Sequence, residues 1–237
     1  MPSVLGTIGI VEHDPVRLLP GPVARRVPDV VRRRMSGRFQ LDEWGLDRDA
    51  VALAAPLAAA RWSIAVEPPV PGGPPVPLDG PVLLVFNRWV GVSEALVVAA
   101  GIGRSSQRVV RFAGAVDVAP LFWWSRRLGA VANHPDEVRG LLRAGELVAI
   151  PAGRAWRPRA AGAVCAESLR PAFEVGAAVV PVAVVPRDAG YRWTLRLGEP
   201  MPTRAKTRAG RRRALTDNGE LERFAISVGH RLDSLLG

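Results

Sequence analysis

The chain has 237 residues, 48% of them hydrophobic and 23% charged, which is the composition of a globular protein and excludes a generally disordered chain. No apolar stretch reaches the roughly 18 residues that a membrane-spanning helix needs, and the N-terminus has no basic segment followed by a long apolar core. Cys165 is the only cysteine, so an internal disulfide is excluded and a reducing compartment fits. We expect this cysteine to be a small buried residue rather than a nucleophile, in a cytoplasmic protein that could also lie peripherally on the inner face of the membrane.

The net charge is strongly positive, with 32 basic and 22 acidic residues giving +10, and Lys206 is the only lysine. Such an excess attracts phosphate in nucleic acids or in the headgroups of anionic lipids. The preference for Arg, with abundant Ala, Gly, Pro and Val, also follows from a GC-rich genome, and only Arg32-Arg33-Arg34 and Arg211-Arg212-Arg213 form runs. No helix-turn-helix, zinc or aromatic RNA-binding signature accompanies the charge. Nucleic acid is therefore not expected as a partner, and nucleic-acid binding is kept only as an alternative function.

The N-terminal segment gives mixed signals. Three prolines between Pro20 and Pro28 fall within nine residues, which forbids a long helix there. Val30 to Arg38 could form a short basic helix on the domain or on an anionic membrane, or it could belong to a loosely ordered tail. We predict a basic, Pro-containing N-terminal segment over residues 1–45 and one α/β domain over residues 46–237.

The domain begins with a helix signal followed by two strand signals. Asp47 to Ala60 is rich in Ala and Leu and predicts a helix with a kink at Pro56, and the alternation in Arg61 to Glu67 predicts a strand. Seven prolines between residues 68 and 81 predict an extended connector. Val82 to Phe86 is a continuous apolar run, which indicates a strand buried on both faces.

The rest of the chain alternates helices and strands in the same way. The C-terminal helix has an apolar face that would pack on the domain or suit a membrane surface. Together the elements predict an α/β fold with a single domain, in which a mostly parallel central sheet is flanked by helices. The further predicted strands are Arg108 to Phe112, Gly129 to Ala132, Leu147 to Ile150, Val179 to Val185 and, at the sheet edge, Arg192 to Leu197. The further predicted helices are Glu94 to Ile102, Pro135 to Ala144, Ala163 to Val175 and Leu221 to Leu235, and Ala119 to Leu128 is a helix in one of the two interpretations given below. Pro200 to Arg213 is predicted as a surface loop.

The turn after the strand Val82 to Phe86 lies where an α/β protein usually has its active site. The strand leads into Asn87-Arg88, and Ser93 then caps a helix that carries Glu94 in its first turn. This segment resembles the first block of the lysophospholipid and glycerol-phosphate acyltransferase family, in which a strand leads into Asn-His-x-x-x-x-Asp. In that family the His is the general base that takes the proton from the acceptor hydroxyl, and the Asp orients it. The resemblance places Arg88 at the His position and Ser93 at the Asp position, and a guanidinium cannot accept a proton near neutral pH.

Three further blocks of the family are recognisable between residues 61 and 200 in altered form. Gly129-Ala130-Val131-Ala132 matches the apolar part of the second block, but Asn133-His134 stand where the family has an acid and the Arg that binds the acceptor phosphate. The third block, Phe-Pro-Glu-Gly-Thr-Arg in the family, is Ile150-Pro151-Ala152-Gly153-Arg154 here, so its Glu is absent, while Arg154 could still face an anion. The fourth, Val-Pro-Val-Ala-Ile, is nearly intact as Val180-Pro181-Val182-Ala183-Val184 and indicates fold rather than activity.

The resemblance implies a glycerol-phosphate acyltransferase-like fold and transfer of an acyl chain from acyl-CoA or acyl carrier protein to a lysophospholipid or glycerol phosphate, with no metal and no other cofactor. Because Arg88 replaces the base, we expect a catalytically impaired protein that binds lipid or acyl-thioester ligands at an anionic membrane surface. Arg88 could bind a phosphate or carboxylate beside the helix that opens at Ser93, or it could pair with Glu94. The expected ligand-binding residues, among them three arginines near one edge of the sheet, are Asn87, Arg88, Glu94, Arg111, Pro151, Gly153 and Arg154.

A relocated base is the alternative to an inactive protein. His134-Pro135-Asp136 places an imidazole beside a carboxylate, and an imidazole can act as a base near pH 7, so an active acyltransferase using His134 would follow. The same residues suit the start of a helix, with a cap before Pro135 and acids in the first turn, and we favour this interpretation. His13 and His230 have no acid or nucleophile nearby in the sequence, and no role is assigned to them.

A second candidate surface is aromatic and basic. Trp123 and Trp124 abut Arg126 and Arg127, which combines an amphipathic ring with a cation, as an interfacial membrane anchor requires. A helix whose aromatic residues belong to the core would have the same local sequence. The two interpretations stay open at this point.

Overall fold

The computed structural model describes residues 21–38, 40–88, 93–113, 121–155, 160–188, 191–206, 212–214 and 218–237. The chain divides into two units, residues 1–39 and residues 40–237. The larger unit therefore begins at Gln40, ahead of the predicted boundary at residue 46. Trp44 explains part of this difference, because its ring packs so closely on Gly140 that any side chain at Gly140 would collide with it.

The described part of the smaller unit is helix α1 (Gly21–Met35) and the turn that follows it. The prediction that prolines forbid a long helix here is wrong. Pro22 lies in the first turn of the helix, where a backbone N–H has no partner within the helix, so the missing N–H of proline costs no hydrogen bond. Pro28 lies inside the helix and removes one hydrogen bond, which the helix tolerates. The last turn of α1 carries Arg32, Arg33 and Arg34.

The larger unit is built on a six-stranded sheet in the order β1-β6-β5-β2-β4-β3. Four neighbouring strands, β5, β2, β4 and β3, are parallel; β6 runs antiparallel to β5, and β1 is parallel to β6. This is the predicted α/β architecture with a mostly parallel sheet. The strands are β1 (Ser63–Glu67), β2 (Val82–Arg88), β3 (Val110–Phe112), β4 (Leu147–Arg154), β5 (Ala178–Pro186) and β6 (Arg192–Leu197).

Helices cover both faces of the sheet, and each face has its own apolar core. One core contains buried residues of α5, α6 and α7, and the other contains buried residues of α3. The apolar face of α7 is buried in the first core, which confirms that this face packs on the domain and removes it as a candidate membrane surface. The helices of this unit are α2 (Arg48–Arg61), α3 (Ser93–Ser106), α4 (Leu121–Arg127), α5 (Pro135–Arg143), α6 (Ala166–Val175) and α7 (Asn218–Leu236).

Four local predictions need correction. The strand β6 lies between β5 and β1 rather than at the sheet edge, because β1 adds to its outer side. Residues 129–132 form only an isolated bridge between Ala130 and Phe112. The predicted loop after residue 200 contains a two-stranded hairpin, β7 (Arg204–Lys206) with β8 (Arg212–Ala214), which pair antiparallel. Cys165 is exposed, since it stands just before α6 instead of inside it.

Candidate ligand site at the carboxyl end of the central strands

The strand β2 lies in the middle of the sheet, between β4 and β5, and its apolar run is buried on both faces. Its backbone pairing with β5 ends at Phe86 and Val182. The Asn87 side chain then replaces the backbone: its Oδ1 accepts from the Val184 amide at 2.6 Å, and its Nδ2 donates to the Val184 carbonyl at 3.1 Å. The Asn87 side-chain oxygen and nitrogen both bond to β5, so this residue fixes the end of β2 and thereby the position of Arg88.

Arg88 is the last residue of β2 and is half-buried at the carboxyl edge of the sheet. Its carbonyl accepts from the Ala155 amide at 3.1 Å, so the backbone is held on the β4 side as well. In the ranges that the structure describes, the Arg88 guanidinium makes no ion pair and no hydrogen bond. A half-buried cation without a carboxylate partner is a suitable contact for an anion.

Arg154 lies beside Arg88. The pairing of β2 with β4 runs in register as far as Phe86 and Pro151, and after an irregularity Arg88 is opposite Arg154. Between these two pairs β2 moves on by two residues and β4 by three, so β4 has one extra residue, as in a β-bulge. The backbone therefore brings two of the three predicted arginines to one edge, as expected.

The glycine of the third block has a backbone role. The Gly153 amide donates to the Ala163 carbonyl at 2.7 Å, and a Cβ at Gly153 would lie 2.7 Å from the same oxygen. A Cβ at Gly162, which has a φ of +72°, would collide with the Gly153 carbonyl. Close approach of these two backbone segments requires glycine at both positions. The preceding residue, Ala152, is buried and brings no acid to the site, and Pro151 continues β4 beside Phe86.

Arg111 lies elsewhere, so the expectation that three arginines share one edge is wrong. Arg111 is opposite Val148 near the start of β4, whereas Arg88 is opposite Arg154, and this offset of six residues corresponds to about 20 Å along the strand. The reason is that β3 has only three residues and pairs with the first three of β4.

Arg111 is 1% exposed and forms an ion pair with Asp42, while its Nη2 lies 3.6 Å from Glu146 Oε1. Its Nε and Nη1 have no hydrogen-bond partner among the described residues. Burial acts to raise the pKa of Asp42, but the hydrogen bond and charge of Arg111 and the amides of Leu46 and Trp44 outweigh it, so this pKa is lowered overall. Arg111 therefore anchors the start of the larger unit to the edge strand.

The first turn of α3 contributes Ser93 and Glu94. Ser93 is the first residue of the helix, and Glu94 is buried and engaged in an interaction. In the described part of the chain no ion pair joins Glu94 to Arg88. The alternative in which Arg88 pairs with Glu94 therefore has no support.

His134 is the N-cap of α5, which confirms the interpretation as a helix cap. Its Nδ1 accepts from the Asp136 amide at 3.4 Å and lies 3.7 Å from Asp136 Oδ2, and its side chain is exposed. These contacts are all within the first turn of its own helix. His230 is exposed on α7, and His13 lies outside the described residues. Within the described ranges, no group of three or more His, Cys, Asp or Glu residues could hold a metal ion.

An open apolar groove of about 560 Å³ lies beside α2 and α3. It exists because α2 is rich in alanine and buries none of its residues, so this helix covers α3 loosely. Arg88 is not among the lining residues. The apolar lining includes Ala54, Leu57 and Ala58 of α2, Ala99 and Ala100 of α3, and Phe112 of β3.

The two tryptophans of α4 point to solvent. Trp123 is 73% exposed and Trp124 is 68% exposed, so the interpretation of these rings as core residues is wrong. The Arg127 guanidinium carbon lies 5.7 Å from the centre of the Trp124 ring. Arg126 makes an ion pair instead, in which its Nη2 lies 2.7 Å from Glu137 Oε1.

Comparison with known proteins supports the fold. No protein-family model and no curated protein sequence matches the chain. A solved structure that it resembles is the 1-acyl-sn-glycerophosphate (LPA) acyltransferase PlsC from Thermotoga maritima, with a TM-score of 0.52 and 16% identity over 78% of this chain and 77% of that one. At this identity the likeness establishes an acyltransferase-like fold and does not by itself assign a reaction. None of the helices in the described ranges has the length and hydropathy needed to cross a membrane.

Proposed function

We propose that this protein binds a single-chain phospholipid or an acyl-thioester through an anionic group at Arg88, and that it has little or no acyltransferase activity. The observation that carries the proposal is the half-buried Arg88 guanidinium at the carboxyl end of β2, which has no carboxylate partner in the described part of the chain. The sequence resemblance places Arg88 at the position of the family's general base.

The chemistry of the side chain supports binding over proton transfer. A guanidinium stays protonated near neutral pH and presents a planar set of donors that matches phosphate or carboxylate oxygens. Loss of a general base removes a rate contribution of about 10²- to 10⁴-fold, whereas the ability to position a substrate does not depend on it. Arg88 would thus hold the headgroup or thioester phosphates without activating the acceptor hydroxyl.

The fold and the groove supply the remaining support. The neighbour of similar fold is described as an acyltransferase that acts on a glycerophosphate, so a ligand with a phosphate and an acyl chain is the natural candidate for this chain. The apolar groove beside α2 and α3 offers about 560 Å³, which falls in the range of small-molecule sites. It would suit the acyl chain of such a ligand.

Calorimetric titration below the critical micelle concentration tests this proposal. Wild-type protein is titrated with a lysophosphatidic acid and with the monoacylglycerol of the same chain length, which lacks the phosphate. Arg88→Ala is expected to weaken binding of the phosphorylated lipid by about ten- to hundredfold, the range for a hydrogen bond to a charged group. Arg143→Ala, which removes an exposed arginine at the end of α5, serves as the matched control. Equal affinity of wild-type protein and Arg88→Ala for the phosphorylated lipid would refute the role of Arg88.

A further inference from the structure

The helix α4 exposes two neighbouring indole rings, which is a large apolar area for a surface helix of seven residues. An indole ring has an apolar body and a polar N–H, and this combination favours the headgroup level of a bilayer. Arg127 lies over the Trp124 ring and makes no ion pair in the described part of the chain. The α4 surface, defined as Trp123, Trp124 and Arg127, therefore pairs apolar area with an available cation.

The groove adjoins the α4 surface. Leu128, the residue directly after α4, lines the groove, and so does Leu57 of α2, which is also exposed. The helices α2 and α4 are in contact with each other. An apolar groove of about 560 Å³ thus lies next to the C-terminal end of α4, and its apolar lining suits the acyl chain of a lipid.

Three further arginines line the groove, and none of the contacts that they make with described residues neutralises their charge. Arg104 donates to the Ile64 carbonyl at 2.9 Å, and Arg108 donates to the carbonyls of Pro77, Gly80 and Gly145. Arg61 lies over the ring of Tyr191 at 4.4 Å. No carboxylate pairs with any of the three in the described ranges, so this side of the molecule presents positive charge that complements anionic headgroups.

We propose that the α4 surface docks on an anionic bilayer, with Trp123 and Trp124 at headgroup depth and the groove opening toward the leaflet. The inference adds a partner to the proposed function, and it rests on that function only for the identity of the lipid that enters the groove. It also orients the molecule, since α7 and the face of the sheet that α7 covers would point away from the membrane.

Vesicle co-sedimentation tests the docking. Wild-type protein is expected to sediment with vesicles of phosphatidylcholine and phosphatidylglycerol in equal parts, and more weakly with phosphatidylcholine alone. The double variant Trp123→Ala, Trp124→Ala is expected to lose at least about tenfold in apparent affinity, which corresponds to one membrane-inserted ring at the lower end of the burial energies. Ile226→Ala is the matched control, because this residue is an exposed apolar side chain on α7, and α7 packs on the face of the sheet opposite the groove. Equal sedimentation of the double variant and the wild type would overturn the proposal, and so would no sedimentation of the wild type with either vesicle.

Quenching by brominated lipids gives a second readout on the wild-type chain itself. The sequence has 7 tryptophans, so the double variant retains five that report on any other docked face. We expect brominated lipid to quench the wild-type fluorescence and to leave the five remaining tryptophans of the double variant unquenched. Quenching that persists in the double variant contradicts docking through α4. A wild-type chain that is dimeric without lipid, and monomeric in the double variant, would instead assign the surface to a second copy. The calorimetric test of Arg88 uses no vesicles, so the two proposals fail separately.

Discussion

Two arginines of the same sheet, Arg88 and Arg111, show how environment assigns different roles to one residue type. Arg111 is buried in the edge strand with Asp42 and Glu146 around it, and its removal from water is compensated by their charge. Arg88 ends the central strand, is only half-buried and has no carboxylate partner in the described part of the chain. The first side chain is a structural anchor, and the second is available to a ligand.

The two arginines have the same side-chain chemistry and differ in their position along the strands. Both residues lie next to β4, but at registers six residues apart, so only Arg88 reaches the carboxyl edge. Substitutions at or around Arg111 should therefore lower the stability of the fold, and substitutions of Arg88 should weaken ligand binding.

The largest effect is expected from Asp42→Ala. This change leaves the buried Arg111 cation with only the more distant Glu146, and an uncompensated buried charge costs about 3–5 kcal/mol. Arg111→Met should cost less, because it removes the buried charge together with the two nitrogens that lack partners in the described part of the chain. Urea unfolding of both variants measures the difference, and a greater loss in Arg111→Met than in Asp42→Ala would contradict this account.

A smaller effect is expected on acid stability. The folded-state pKa of Asp42 is lowered, so its contribution to stability is fully present above the unfolded pKa of about 3.9 and is lost as the pH falls through the folded value. Asp42→Asn removes this contribution, so the free energy of unfolding of the variant should fall less steeply than that of the wild type below about pH 4. Unfolding curves from pH 7 to pH 3 test the slope, and parallel curves would show that Asp42 does not titrate in the folded state at a lowered pKa.

The smallest effect on stability is expected from Arg88→Ala. Since this side chain makes no ion pair within the described ranges, its loss should change the free energy of unfolding by no more than about 0.5 kcal/mol. The same urea experiment applies. A loss comparable to that in Asp42→Ala would mean that Arg88 is also an anchor, and the distinction between the two arginines would disappear.

Most of the sheet could be predicted from the sequence because strands and helix ends are marked by patterns of neighbouring residues. The apolar run of β2 and the cap of α5 depend on neighbouring residues, and the structure places them as expected. The hairpin β7–β8 was missed because basic residues with Gly and Pro resemble a loop unless their cross-strand pairing is known. The predicted position of Arg111 is wrong for a related reason, because the apolar pattern of a strand does not determine its length or its register.

The candidate site was only partly accessible from the sequence. Asn87, Arg88 and Arg154 could be found because a buried strand must end at the sheet edge, where polar residues take over. The structural role of Asn87 requires contact with Val184, ninety-seven residues away, and no local pattern indicates it. The exposure of Trp123 and Trp124 likewise depends on what packs against α4.

An acyl-transfer assay tests the central claim most directly, namely that Arg88 binds an anion and does not act as a base. Wild-type protein is incubated with a radiolabelled acyl-CoA, and in parallel with an acylated carrier protein, together with a lysophosphatidic acid. The account predicts no labelled diacyl product above the background without protein. Robust turnover that disappears in Arg88→Ala would contradict it.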